Sequence, residues 1–226
     1  MIKLGLLGKN IKHSKSQEMY EQLLQREIKY SLFDFSHPDE IPPLKNLFSN
    51  IQGLSITAPY KKHFFDDVYL SEEAKIVGAI NCIKFHNGQY VGYNTDYLAA
   101  LELVERYGFS KDSNIIVLGN GPVAKMIGLI LERSGLSYLK LFRTSEFQIN
   151  DYNMGIFNGE AVSIINCVSR GVVFSPDFKG SVINKFWDLN YSQESLFSSF
   201  YKNNYIDGLD LLRLQAKFAL NIWGIK

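Results

Sequence analysis

The run Ile115-Ile116-Val117-Leu118-Gly119-Asn120-Gly121-Pro122-Val123-Ala124 constrains this chain more than any other feature, and it lies mid-chain. An apolar run that closes on Gly-x-Gly-x-x-Ala and opens into a helical pattern can cradle a phosphate. The first glycine allows a tight turn, the second brings backbone N–H groups to a pyrophosphate, and the small third residue lets helix and strand pack closely. A glycine-rich turn of this kind also occurs with a purely structural role. If it holds a dinucleotide, roughly the first hundred residues form a separate part that holds the substrate.

A chain of 226 residues can bury one large core or two modest ones. With 46% hydrophobic and 21% charged residues it has the composition of a soluble globular protein. The net charge of +1 gives no reason to expect nucleic acid or an anionic membrane surface as a partner. The 16 phenylalanines and 13 tyrosines are spread along the chain without basic clustering, as core residues are. Cys82 and Cys167 stand far apart, in no metal-ligand spacing and no disulfide framework, so no metal is expected. The first residues, broken early by Gly5 and Gly8, do not read as a signal peptide, and no stretch reaches the length of a membrane span. A cytoplasmic protein is expected.

Along the chain, Lys3 to Leu7 reads as a buried strand, followed by a polar loop and a helix opened by Ser16-Gln17-Glu18. Strands are expected at Tyr30 to Phe35 and Gly53 to Thr57, with helices at Leu44 to Phe48 and Lys61 to Phe65. Ala79 to Phe85 and Tyr90 to Gly92 form a hairpin about Asn87-Gly88. Asn94-Thr95-Asp96 caps an amphipathic helix ending near Gly108, which bridges two domains. The second domain opens with strand Asn114 to Leu118, helix Val123 to Ser134 and strand Tyr138 to Phe142. After Arg143 the sequence is too poor in helix for a full crossover, which usually takes about a dozen residues or more. Strands Ala161 to Ile165, Val182-Ile183 and Phe186 to Leu189 follow, and a helix from Leu209 to Trp223 closes the chain.

Polar clusters fall at strand ends and loop starts, where α/β proteins bind ligands. Ser14 and Ser16, beside a helix start, suit a carboxylate, though one serine also serves as an ordinary N-cap. In Ser55-Ile56-Thr57-Ala58-Pro59-Tyr60-Lys61, Pro59 favours an extended Ala58, and Lys61 would oppose the dipole of the helix it opens. Lysines elsewhere are mostly solvated surface groups. Asp96 reads equally as a first-turn acid stabilising its helix. Arg143-Thr144 ends the second strand of the nucleotide domain, where NAD enzymes commonly place an acid; an arginine there suits a 2′-phosphate instead.

Ser-x-Ser, Thr-x-Pro-x-Lys, Gly78-Ala79-Ile80-Asn81, Asn94-Thr95-Asp96, the glycine turn and Gly208-Leu209-Asp210-Leu211-Leu212-Arg213-Leu214-Gln215-Ala216 occur in one order and spacing. In this the chain resembles the shikimate dehydrogenase family along nearly its full length. The resemblance implies an N-terminal α/β substrate-binding domain over residues 1–97, completed by a C-terminal helix within 208–226. It also implies a shortened Rossmann-like NADP-binding domain over 98–207. The implied reaction is the reversible NADPH-dependent reduction of 3-dehydroshikimate to shikimate. Ser14 and Ser16 would hold the substrate carboxylate with Tyr191 nearby, while Thr57, Asn81, Asp96 and Gln215 bond the ring hydroxyls. Lys61 and Asp96 would form the catalytic pair. Hydride delivery to a ketone leaves an alkoxide that needs a proton donor; an ammonium group is one, and a carboxylate holds and orients it. The coenzyme residues carried over are Gly119, Asn120, Gly121, Pro122, Val123, Arg143, Thr144, Asn166, Val168 and Gly208. A monomer or homodimer acting on a small molecule is implied, without metal, membrane or nucleic acid.

Departures from the family pattern cluster on the coenzyme side. Phe142 precedes Arg143-Thr144 where the family has Asn, and no second basic residue follows promptly. Pro122 removes a donor N–H beside the phosphate site, and Asn166-Cys167-Val168 lacks the usual hydroxyl. On the substrate side Ser55 and Cys82 replace Asn and Thr, and the chain ends at Lys226 where relatives carry a further helix. Weaker or altered NADP binding is expected. A dehydrogenase preferring quinate, or a shikimate-binding paralogue with little turnover, are the competing readings.

Overall fold

Apolar runs near the start of the chain pair into a mixed sheet, and those after residue 114 into a parallel one. The computed structural model describes residues 1–142, 159–168, 182–191, 198 and 203–226. The chain divides into two compact units, Met1–Ala99 with Leu212–Lys226, and Ala100–Leu211.

In the first unit, β1 (Lys3–Gly8), β2 (Lys29–Asp34), β3 (Gly53–Ile56), β4 (Tyr69–Leu70), β5 (Cys82–His86) and β6 (Gln89–Tyr93) form a sheet in the order β2-β1-β3-β5-β6-β4. β1 runs parallel to both neighbours, with Leu4 opposite Tyr30 and Gly53. β5 is antiparallel to β3 and to β6. The β5–β6 hairpin turns on Asn87 and Gly88, both left-handed (φ 50° and 79°), which is why Asn-Gly occurs there. Between the strands lie α1 (Ser16–Leu24), α2 (Leu44–Leu47) and α3 (Glu72–Val77), and β6 leads into α4 (Thr95–Arg106).

The second unit contains β7 (Asn114–Leu118), α5 (Pro122–Arg133), β8 (Tyr138–Leu141), β9 (Ala161–Asn166), β10 (Val182–Asp188) and β11 (Tyr205–Ile206). Among the described residues its strands follow the order β11-β10-β9-β7-β8, all parallel. Ile116, Leu118, Leu141, Val162, Ile164 and Phe186 make its core. A last helix, α6 (Leu209–Trp223), closes the chain.

The two units divide inside α4 and inside α6. The portion of α6 from Leu212 onward belongs to the first unit, where Ala216, Ala219, Leu220 and Trp223 pack with Leu4, Tyr20, Ile28 and Cys82. The Trp223 indole N–H donates to the Ile83 carbonyl at 2.9 Å. Its ring lies over Gly53, where any Cβ would overlap it. A glycine is needed there for the helix to approach the sheet.

Two sequence expectations change, and the structure adds detail in two further places. Lys61 to Phe65 is a series of three-residue turns, not a helix: Tyr60, His63 and Phe65 N–H groups bond the carbonyls three residues back, at 3.0, 2.9 and 3.1 Å. Lys61 therefore opposes no helix dipole. The Ala58–Pro59 peptide is cis. Val182-Ile183 and Phe186 to Asp188 belong to one strand, β10, which ends before Leu189 and has a register shift between Ile183 and Lys185. The buried face of α4 runs through Ala99, Ala100, Leu103 and Val104, while Leu101 faces outward.

Candidate active site

Lys61 and Asp96 come together although 35 positions apart: the Lys61 ammonium lies 2.6 Å from Asp96 Oδ2. Each is placed by backbone bonds from its own side. The Lys61 carbonyl accepts from the Ile80 N–H at 2.9 Å, fastening the turn beside the Gly78–Asn81 segment. Asp96 sits in the first turn of α4, whose N-cap is Asn94: its Oδ1 accepts from the Tyr97 N–H at 2.9 Å. The Asn94 amide nitrogen in turn donates to the Ala79 carbonyl at 3.0 Å. Side-chain exposures of 33% and 22% leave the ion pair accessible to a ligand.

Asn81 and Gln215 meet through Thr95, a buried residue that the sequence reading left out of the site. Asn81 Oδ1 accepts from the Thr95 N–H at 2.7 Å and lies 3.1 Å from its hydroxyl, with Gln215 Oε1 3.3 Å away on the same hydroxyl. The Gln215 amide nitrogen donates to the Leu212 carbonyl at 2.9 Å. With its oxygen engaged, Asn81 has its amide nitrogen left to meet a ligand. Thr57 is held through its N–H on the Leu7 carbonyl at 2.9 Å, with its methyl against Gly8.

The two serines also pair. Ser14 Oγ donates to Ser16 Oγ at 3.0 Å and accepts the Ser16 N–H at 3.2 Å. The helix start is thus no simple N-cap: α1 has no side-chain cap on its N-cap residue, Lys15. Near this pair lie residues that sequence reasoning missed. The Tyr20 and Ser55 hydroxyls are hydrogen-bonded at 2.9 Å, and the buried Tyr30 hydroxyl has no hydrogen-bond partner. Burial pushes both phenols well above the ordinary tyrosine range, so both stay protonated. Only the departure at Ser55 hinted at them.

In the second unit the expected coenzyme residues cluster at the strand ends. Gly119 has φ +109°, a conformation that requires glycine, and its N–H bonds the Leu141 carbonyl at 2.8 Å. Gly121 is the N-cap of α5 and Pro122 its first residue; a side chain at Gly121 would meet nothing within 4 Å. Asn120 and Val123 are exposed beside them. This open turn over a twelve-residue helix fits a diphosphate. Gly119 abuts the Cys167–Val168 backbone, the Val168 N–H donates to Asn166 Oδ1 at 3.1 Å, and Asn190 bridges the Val168 carbonyl and the Gly208 N–H. Arg143 and Thr144 lie outside the described residues. Tyr191 follows Asn190 in this unit.

The hub of that cluster is Asp188, another residue the sequence reading missed. Its Oδ1 accepts from the Asn166 amide at 3.1 Å and from the Asn190 backbone and side chain at 3.0 and 2.8 Å; its Oδ2 accepts from Tyr205 at 3.2 Å. Cys167 is no nucleophile in this setting, because burial raises its thiol pKa, with Asp188 adding to the effect.

The chain and its fold match known proteins. Residues 6–83 match the family model described as shikimate dehydrogenase substrate binding domain. A relative from Clostridium perfringens, a shikimate dehydrogenase (NADP(+)), is 31% identical over 252 residues, covering 98% of this chain and 92% of its own. The chain belongs to the shikimate dehydrogenase family. Among solved structures, a chorismate mutase/shikimate 5-dehydrogenase fusion protein from Clostridium acetobutylicum superposes with a TM-score of 0.79 at 25% identity, covering 100% of this chain and 92% of that one. The fold is shared by a shikimate 5-dehydrogenase from Thermus thermophilus in complex with NADP(H) and shikimate, at a TM-score of 0.75 and 21% identity over 99% of this chain and 93% of that one. The family thus joins a mixed α/β unit, completed by the end of α6, to a Rossmann-like parallel sheet in this chain. Among the described residues no helix is long and apolar enough to cross a membrane.

Proposed function

We propose that this chain is an NADP-dependent shikimate dehydrogenase, which reduces 3-dehydroshikimate to shikimate reversibly. The observation that carries the reading is the accessible Lys61–Asp96 pair at 2.6 Å, with Asn81 and Gln215 bonded to Thr95, the residue before Asp96. The bound coenzyme would supply or accept the hydride, with Gly119, Asn120, Gly121, Pro122 and Val123 holding its diphosphate and Asn166, Val168 and Gly208 completing that site.

Lys61 serves as proton donor to the carbonyl oxygen of the substrate as it becomes an alcohol, and takes the proton back in the reverse direction. Asp96 orients the ammonium group and accepts from a ring hydroxyl. Asn81, Gln215 and Thr57 recognise the remaining hydroxyls, and Ser14 and Ser16 donate to the carboxylate. Each of these residues is already held by a bond to backbone or to a neighbouring side chain, so the site is set before the substrate arrives. A cytoplasmic enzyme, monomeric or homodimeric, goes with the reading.

The test is direct. Purified protein mixed with shikimate and NADP is followed for reduced coenzyme, with quinate and NAD as comparators. Turnover with shikimate and NADP exceeding that with quinate or NAD is the expected result. Binding of shikimate without turnover would overturn the reading in favour of a ligand-binding paralogue.

A further inference from the structure

Asp188 is only 2% exposed and carries a charge that the functions assigned above leave unused. Four donors meet it: the Asn166 amide at 3.1 Å, the Asn190 backbone N–H and amide at 3.0 and 2.8 Å, and the Tyr205 hydroxyl at 3.2 Å. A carboxylate accepts at both oxygens, whereas the protonated acid would have to donate from one, so this set of partners fits the charged form. All four partners are neutral. Lys185, the cation on the same strand, is three positions away and therefore on the opposite face of β10. Its ammonium is engaged with the Phe109 ring and the Tyr107 carbonyl. Dipoles thus hold the Asp188 charge in place without cancelling it.

That charge lies at the end of the sheet that suits a dinucleotide. In a Rossmann-like sheet the diphosphate rests on the first strand-to-helix turn, here β7 to α5, and the adenosine half lies toward the end of the next strand, here β8. β9 and β10 lie on the other side of β7, so the nicotinamide half reaches toward their ends. Asn166 and Asp188 are the last residues of these two strands. Asn166 is bonded to Asp188 directly, and Val168 and Gly208 are linked to it through Asn190. The charge is felt there: the Cys167 thiol is pushed up first by burial and then by Asp188.

The two forms of the coenzyme differ at the nicotinamide ring, which is a cation when oxidised and neutral when reduced. A fixed buried anion attracts the first and is indifferent to the second, and the low dielectric of the interior lets that attraction act over several ångströms. We propose that Asp188 is a specificity-determining residue for the oxidation state of the coenzyme, its carboxylate favouring NADP+ over NADPH. This inference rests on the functional reading given above.

The dissociation constants of NADP+ and NADPH, measured by calorimetric titration of the full chain, test it. Asp188→Asn removes the charge and keeps the shape: its oxygen can accept from Asn166 and Asn190, and its amide can donate to the Tyr205 oxygen. The expected result is a loss of NADP+ affinity of about fivefold, with NADPH affinity within about twofold of wild type. Asp188→Ser, also uncharged, gives the same shift in the ratio and stands in where Asp188→Asn does not fold. Tyr205→Phe is the control; it removes one bond from the cluster but keeps the charge, so any change falls equally on both coenzymes. A ratio unmoved in the uncharged variants, or moved as far in Tyr205→Phe, overturns the inference alone. A wild-type protein that binds neither coenzyme overturns the functional reading and this inference with it.

Discussion

At the scale of single residues, the site is built from side chains whose ordinary roles are structural. Asp96 is a first-turn acid of α4 and Asn94 its N-cap, and both roles are real. The functional content comes from where those roles put the groups: the cap fixes the first turn, and the first turn presents a carboxylate to Lys61. Asp96→Asn keeps the shape of the side chain but removes the charge that orients the ammonium. Its kcat for shikimate oxidation falls by roughly a hundredfold. Steady-state kinetics check this, and a kcat within about threefold of wild type would remove Asp96 from the chemistry. Lys61 and Asp96 could be paired from the sequence through the family resemblance, since no periodicity links positions so far apart. Thr95 and Tyr20 were not legible in this way, because each is hydrogen-bonded through a contact that only the packed fold creates.

At the scale of elements, signals with a local cause were readable. The Asn87-Gly88 turn, the Asn94 cap and the Gly119 turn each follow from backbone needs of one or two residues. Elements set by tertiary packing were not. The turns after Pro59 mimic a helical pattern because Tyr60 and Phe64 are four apart and both buried. Polar Asn184-Lys185 split one strand into two in the sequence reading. In the structure Lys185 stays in the strand with its ammonium over the Phe109 ring and donating to the Tyr107 carbonyl. Short α3, with Ala74 its one buried residue, offered no periodic face to read.

Pro122 carries the element-scale prediction. At the first position of α5 it costs the helix nothing, since that N–H would have no intrahelical partner, but it withholds a donor from an anion there. Pro122→Ala restores the N–H and lowers the KM for NADP about threefold, in line with one helix-terminal interaction. An unchanged or raised KM would show that the turn does not face the coenzyme's phosphates.

At the scale of the whole molecule, each unit has its own sheet and its own core, and the end of α6 belongs to the first of them. The mid-chain glycine turn made the two-part organisation legible, because a dinucleotide turn at residue 119 leaves the preceding sequence to fold for another purpose. Arg143 and Thr144, expected from the sequence to meet the coenzyme's 2′-phosphate, lie outside the described residues. The central claim is that Lys61 transfers the proton in an NADP-linked oxidation of shikimate. The kcat of Lys61→Ala against wild type, with shikimate and NADP saturating, tests it most directly. The account predicts a fall of roughly a hundredfold to ten-thousandfold with the coenzyme KM unchanged. A kcat within about threefold of wild type would contradict it.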